Sequence, residues 1–194
     1  MKAKQNSVRI IAGKWRSRKV HFPDAPGLRP SADRVRETLF NWLQADIAQA
    51  SCLDLFAGSG VCGIEALSRG AKSVVFIDNS TAVQAALRQN LQRLDAHGAR
   101  QICADSLQWL SQGSKSSTEK FGIVFIDPPF SNDMIANSCA QLQASELLKP
   151  SARIYLESDR KIQPSELPQN WGLLKEKKAG AVYFYLYSSG LNPS

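Results

Sequence analysis

The chain of 194 residues has only two histidines and four cysteines, and both shortages exclude chemistry. Cys52, Cys62, Cys103 and Cys139 are scattered without a Cys-x-x-Cys pair, so neither a metal site nor a disulfide framework is expected. Three of them fall in segments that read as strand or helix, where a small buried hydrophobe is the simpler account. No apolar run reaches the ~18 residues that mark a membrane helix. Met1-Lys2-Ala3-Lys4-Gln5-Asn6 lacks the apolar core of a secretion signal, so a cytoplasmic protein without a membrane partner is expected. Nothing resembles a dimerisation segment, and a monomer is the expectation. What remains is ordinary for one globular domain with a full core: 43% hydrophobic and 21% charged residues.

Charge is where the chain departs from the ordinary. The formal net charge is +7. All of it lies in residues 1–42, which hold ten basic residues (Lys2, Lys4, Arg9, Lys14, Arg16, Arg18, Lys19, Arg29, Arg34, Arg36) against three acids. A localised basic segment on a neutral remainder is the footprint of polyanion binding, although solvated basic tails are also common. Val8–Ala12 and Arg18–Phe22 read as two strands flanking Gly13, with Trp15 among the cations. A folded hairpin facing RNA is therefore expected, with Arg9, Lys14, Trp15, Arg16, Arg18, Lys19, Arg29, Arg34 and Arg36 as contact candidates. Val35, Leu39, Trp42 and Leu43 recur at helical spacing, so residues 32–45 read as an amphipathic helix. Arg34 and Arg36 lie off that stripe, and RNA and a cofactor carboxylate both remain open as their partners. The division expected is a basic arm over residues 1–30 and a catalytic domain over 31–194.

From residue 51 the pattern alternates, with strands expected at 51–56, 73–78, 99–103, 121–127 and 152–157. Helices are expected at 61–69, 80–95, 105–112 and 133–147. Such alternation implies right-handed crossovers and a parallel sheet covered on both faces, an α/β Rossmann-like architecture. The end differs. Trp171–Lys178 and Ala181–Tyr187 flank Gly180 with no helix between them, which predicts a closing hairpin and an antiparallel strand.

Asp54-Leu55-Phe56-Ala57-Gly58-Ser59-Gly60 follows the first of these strands and opens a helix. With Gly63 the spacing is Gly-x-Gly-x-x-Gly, which admits a dinucleotide. Asp54 argues against a pyrophosphate and for a ligand carrying an ammonium group. Asp78 ends the second strand, where a carboxylate takes ribose hydroxyls. S-adenosylmethionine has the ribose, the purine and the positive charges, and no phosphate. Asp105 after the third strand suits either the adenine amine or a helix N-cap, and the two stay open.

Asp127-Pro128-Pro129-Phe130 ends the apolar strand Phe121–Ile126. Prolines cannot donate to a ladder, so the strand stops there with a carboxylate, a carbonyl and a flat ring at the sheet edge. That set suits a planar group bearing an NH2, as in a nucleobase.

Asp54–Gly60, Asp78, Asp105 and Asp127–Phe130, in that order, resemble the class I S-adenosylmethionine-dependent amino-methyltransferases. Ile11–Arg16, Gly27–Pro30, Asp33–Asn41 and Glu65–Arg69 carry a narrower resemblance, to the bacterial RsmD family of 16S rRNA guanine-N2 methyltransferases, over nearly the whole chain. The resemblance implies a class I methyltransferase fold: a seven-stranded, mostly parallel sheet whose last strand is antiparallel, plus the basic N-terminal β-hairpin. It implies transfer of a methyl group to the N2 amine of a guanine in 16S rRNA, within an assembled or assembling small subunit, leaving S-adenosylhomocysteine. The cofactor set it implies is Asp54, Phe56, Ala57, Gly58, Ser59, Gly60, Asp78, Asn79, Asp105, Ser106 and Asp127. The catalytic set is Asp127, Pro128, Pro129 and Phe130. Some relatives carry Glu at position 78, an amide at 105, and Thr-Thr where Ser31-Ala32 stand.

Competing functions separate on stated features. A pyrimidine C5-methyltransferase needs an active-site thiol that this motif lacks. A DNA adenine or cytosine amino-methyltransferase shares Asp-Pro-Pro-Phe but usually adds a large recognition domain. A protein-glutamine methyltransferase typically has Asn first and needs no basic arm. A nucleotide-dependent oxidoreductase is admitted by the glycines alone, and a non-catalytic RNA-binding module by the charge alone.

Overall fold

The computed structural model describes residues 6–23, 33–113, 119–129 and 134–190. A two-stranded antiparallel hairpin, β1 (Asn6–Arg9) and β2 (Lys19–Phe22), comes first, then α1 (Asp33–Trp42). Strands and helices then alternate: β3 (Ser51–Asp54), α2 (Val61–Ser68), β4 (Ser73–Asp78), α3 (Thr81–Leu94), β5 (Ala99–Cys103), α4 (Ser106–Gly113), β6 (Phe121–Ile126), α5 (Met134–Ala144) and β7 (Leu148–Ser158). A short 3-10 turn at Pro164–Glu166 leads into β8 (Trp171–Ala179) and β9 (Val182–Ser189). The expected arm boundary at residue 30, Arg29 and the Ser31-Ala32 pair lie outside the described residues.

The main sheet has seven strands in the order β5-β4-β3-β6-β7-β9-β8. β9, the last strand in the chain, runs antiparallel to both neighbours, as expected, and the pairs from β5 through to β7 are parallel. The chain winds outward from β3 to β5, then returns to β6 and winds the other way. β3 and β6 are therefore adjacent at the point where the winding reverses, and an open α/β sheet has its natural ligand crevice at the carboxyl ends of such strands.

Alternation along each strand sorts the core into two layers. Cys52, Val74, Phe76, Ile123, Phe125, Tyr155 and Phe184 face α1, α2 and α3, while Leu53, Val75, Ile77, Val124, Ile126, Ile154 and Leu156 lie in the layer with α4 and α5. The interiors of β4 and β6 are apolar on both faces, which is why they read as continuous hydrophobic runs. Most element ends move by one to four residues from expectation. β7 starts at Leu148 because Leu148 pairs with Phe121 ahead of a register shift, and α5 stops at Ala144.

The hairpin packs into the same core as the sheet. Ile10, Trp15 and Val20 are buried in the layer that contains α2 and α3. Gly13 (φ +82) lets the linking loop touch the end of α2; a Cβ there would stand 1.9 Å from the Ser68 carbonyl oxygen.

Candidate active site

Three of the predicted acids converge at the carboxyl edge of the sheet. Asp54 ends β3 and Asp78 ends β4, with Asp127 following β6 directly. Each continues the alternation of a residue in the α1–α3 layer (Cys52, Phe76 and Phe125), so all three point to that same face.

Asp54 is 4% exposed and its Oδ2 accepts the Gly63 amide at 3.0 Å. Burial pushes its carboxyl up to about 7; the Gly63 N–H opposes this and Asp78 adds to it. A buried acid in this state gains from a cation placed against it. Asp78 holds the glycine loop from the neighbouring strand: its Oδ2 accepts the Gly58 amide at 2.9 Å and its Oδ1 the Ser80 amide at 2.8 Å. The amide that a phosphate-binding loop would offer to its ligand is thus already donated to a carboxylate. Gly60 (φ +73) opens α2, with no space for a Cβ against Leu87. Gly63 lies against Phe76 and Val74 and serves helix–sheet packing. Ala57 donates to the Ile77 carbonyl at 2.8 Å, Phe56 packs against the α4–α5 layer, and Ser59 is buried at the turn.

Asp105 caps α4, accepting the Gln108 amide at 2.9 Å. The N-cap alternative for Asp105 is therefore realised. Ser106 is buried, and its hydroxyl donates to the Leu55 carbonyl, tying α4 to the end of β3. Asn79 is exposed beside Asp78. Asp127 is half-buried, Pro128 buried and Pro129 exposed; Phe130 lies outside the described residues. The Cys62 thiol stands well above its ordinary value, through burial first and then the charges of Asp54, Asp127 and Glu157. At that position burial keeps the side chain a neutral thiol.

The basic candidates divide. Arg9, Lys14, Arg16, Arg18, Lys19 and Arg34 are exposed. Arg36 and Trp15 are not, and both need correcting as surface contacts. Arg36 is fully buried: its guanidinium donates to the Arg9 carbonyl at 2.9 Å and to Asp33 at 2.6 Å, and it lies 3.9 Å from Glu65. Helical periodicity places Arg36 off the apolar stripe correctly, but the hairpin covers that second face. Trp15 lies under the loop with Lys14 Nζ over its ring at 5.6 Å.

Sequence reasoning gives no role to the residues that dock the hairpin. Buried Glu65 accepts the amides of Ile11 at 2.8 Å and Ala12 at 2.9 Å, and pairs with Arg69 at 2.7 Å. Ser68 accepts the Trp15 amide and donates to the Ala12 carbonyl. An acid inside an otherwise apolar helical run is the available signal, and every residue of that helix is buried. Along α3, Asn90 bonds His21 and the Arg93 carbonyl accepts from Arg18. Since α3 starts at the carboxyl edge, the hairpin tip lies about 18 Å away from it, at ~1.5 Å per helical residue.

Comparison with known proteins agrees with this geometry. Residues 8–188 match the family model described as Conserved hypothetical protein 95. The ribosomal RNA small subunit methyltransferase D of Haemophilus influenzae is 46% identical over 187 residues, covering 95% of both chains. Its Escherichia coli counterpart is 44% identical over 180 residues, covering 93% of this chain and 89% of that one. A solved putative methyltransferase of E. coli superimposes with TM-score 0.85 at 42% identity, covering 96% of this chain and all of that one. A Thermus thermophilus 16S rRNA N2 guanine methyltransferase, in complex with S-adenosylmethionine and guanosine, shares the fold alone: TM-score 0.70 at 19% identity, with 97% of this chain on half of that one. The chain belongs to the Conserved hypothetical protein 95 family, the RsmD family of ribosomal RNA small subunit methyltransferases.

Proposed function

We propose that this protein transfers a methyl group from S-adenosylmethionine to the exocyclic N2 amine of a guanine in 16S rRNA. The observation that carries the reading is the placement of Asp54, Asp78 and Asp127 on one face of the carboxyl edge, around the β3–β6 reversal. It is supported by the 44–46% identity to proteins named as small-subunit rRNA methyltransferases.

The residues present fit the cofactor. Asp54, buried and raised by that burial, suits the ammonium group; Asp78 suits the ribose, beside Gly58 and Asn79. Two carboxylates lining the loop make a pyrophosphate a poor occupant, which disfavours the oxidoreductase reading. The bound cofactor supplies an electrophilic methyl on a sulfonium.

Asp127 and the Pro128 carbonyl then accept hydrogen bonds from the guanine amine. That nitrogen's lone pair is delocalised into the ring, and holding both N–H groups favours the pyramidal geometry in which the pair points at the methyl. Phe130 stacks on the extruded base. Positioning supplies most of the effect, with reacting atoms held about 3–3.5 Å apart. Asp127 offsets the positive charge that develops on nitrogen and need not be a strong base. The exposed cations of the arm, Lys14, Arg16, Arg18 and Lys19, hold RNA phosphates away from the target base. The substrate is small-subunit RNA in the assembled or assembling particle, and the enzyme acts as a cytoplasmic monomer.

Labelled-methyl transfer to small subunits lacking the modification, followed by nucleoside analysis, tests this. N2-methylguanosine is expected. Methyladenosine, or no product, overturns it.

A further inference from the structure

A fourth carboxylate stands one residue before the end of a strand on the active-site face. β7 pairs in parallel with β6, with Leu156 opposite Ile126, so the next residues, Glu157 and Asp127, stand side by side at the carboxyl edge. Tyr155 lies in the α1–α3 layer with Phe125, while Ile154 and Leu156 lie in the other. Alternation therefore sends Glu157 to the face of Asp54, Asp78 and Asp127. It is 6% exposed, and Tyr155 Oη donates to its Oε2 at 2.8 Å.

A second carboxylate beside Asp127 is unfavourable in itself, by burial and by like charge. A residue that only filled this face would be apolar, as Phe125 and Phe184 are on the flanking strands. Two carboxylates side by side can be bridged by one ligand with two adjacent donors. Guanine is that ligand, because its Watson–Crick edge carries N1–H beside the N2 amine. Neighbouring strands lie about 4.8 Å apart, within reach of one base edge.

We propose that Glu157 is the residue that distinguishes guanine, its carboxylate accepting the N1–H of the base whose N2 amine Asp127 and Pro128 hold. This rests on the methyl-transfer reading above. Asp-Pro-Pro-Phe alone would hold any exocyclic amine. Adenine presents a bare N1 lone pair, which Glu157 repels, so discrimination resides in β7 and not in the motif.

The test uses small subunits reassembled with guanine or 2-aminopurine at the methylated position, once nucleoside mapping has located it. 2-Aminopurine keeps the N2 amine and lacks N1–H. Formation of N2-methylguanosine by the wild type on guanine checks the underlying reading separately; any other product defeats that reading before Glu157 is at issue. With that product established, kcat/KM is compared for both substrates. Wild type is expected to prefer guanine by about 10⁴-fold, as a site built around a substrate N–H rejects an analogue without it. Glu157→Gln can still accept from Tyr155 and can also donate to a bare N1. It is expected to narrow the preference to about 10-fold or less, chiefly by gaining activity on 2-aminopurine. Glu157→Leu is expected to lose guanine activity without that gain. Wild-type acceptance of both bases, an unchanged preference in Glu157→Gln, or an equal loss on both bases in that variant would overturn the assignment.

Discussion

Asn90 acts as a strand partner for His21. Its Oδ1 accepts the His21 amide at 3.0 Å and its Nδ2 donates to the His21 carbonyl at 2.6 Å, so one side chain on α3 satisfies both outward backbone groups of a residue in β2. The free edge of the hairpin is closed by a helix, and the arm becomes a fixed part of the domain. Asn90→Ala leaves both groups unpaired in a half-buried setting. A loss of about 1–3 kcal/mol is expected, with amide exchange accelerating at Lys19–Phe22 before the main sheet opens. Unchanged exchange there would show that the pair does not hold the hairpin.

Glu65 makes the second attachment, and its removal should cost more. Glu65→Ala removes the acceptor of the Ile11 and Ala12 amides and the carboxylate paired with Arg69, and takes away one of the two acids beside the buried Arg36 guanidinium. Breaking one side of a buried pair typically costs about 3–5 kcal/mol. Urea denaturation reads this directly. A loss no larger than that of a surface substitution would mean that the Ile11 and Ala12 amides and Arg69 find other acceptors.

Asp54 makes stability and cofactor affinity depend on pH in a fixed direction. Its folded carboxyl is raised to about 7 from 3.8. Its contribution to stability is therefore fully present below about pH 4 and is lost as pH rises toward about 7. The cofactor ammonium favours the charged form, so affinity should rise over the same window. Both effects are read as differences between wild type and Asp54→Asn, in denaturation without cofactor and in calorimetric titration with it. Parallel pH profiles for the two proteins would contradict the shift.

Asp127→Ala should lower methyl transfer by at least about 10²-fold, the scale of removing one fixed group from a developing charge. S-adenosylmethionine binding should stay near the wild-type value. Loss of cofactor binding, or undiminished transfer, would count against the role given to Asp127.

Arg16 and Lys19 are exposed, whereas Arg36 is buried, so these cations should respond differently. Replacing Arg16 and Lys19 by Ala should flatten the dependence of log affinity for RNA on log salt, by about 0.7–0.9 for each phosphate no longer neutralised. Arg36→Ala should reduce stability instead. Affinity that is unchanged across salt would exclude the hairpin tip as a phosphate-binding surface.

Much of the architecture is legible in the sequence because it is written in local terms. The strands at 73–78 and 99–103 have the bounds expected of them; the apolar run ending at Asp78 announces a buried parallel strand, whereas 99–103 is an edge strand with no buried residue. The acids at the strand ends are legible for a related reason: an interior run that stops at a carboxylate places it at the sheet edge. Arg36 is misplaced by its sequence because periodicity reports which face of a helix is apolar, and cannot say that a distant hairpin will cover the other face. Glu65 stands out only through the family resemblance, since its partners Ile11 and Ala12 lie more than fifty residues away. Asp105 admits two readings because an N-cap and a ligand contact require the same residue at the same place.

Taken alone, the sequence determined the succession of strands and helices, the confinement of net charge to residues 1–42 and the acids at the ends of β3, β4 and β6, because these depend on spacing along the chain. Only the tertiary structure decided that Asp54, Asp78, Asp127 and Glu157 share one face and that the hairpin is clamped to α2 and α3 by Glu65, Ser68 and Asn90. Those relations arise from strand register and helix packing, which join residues that the chain itself keeps far apart.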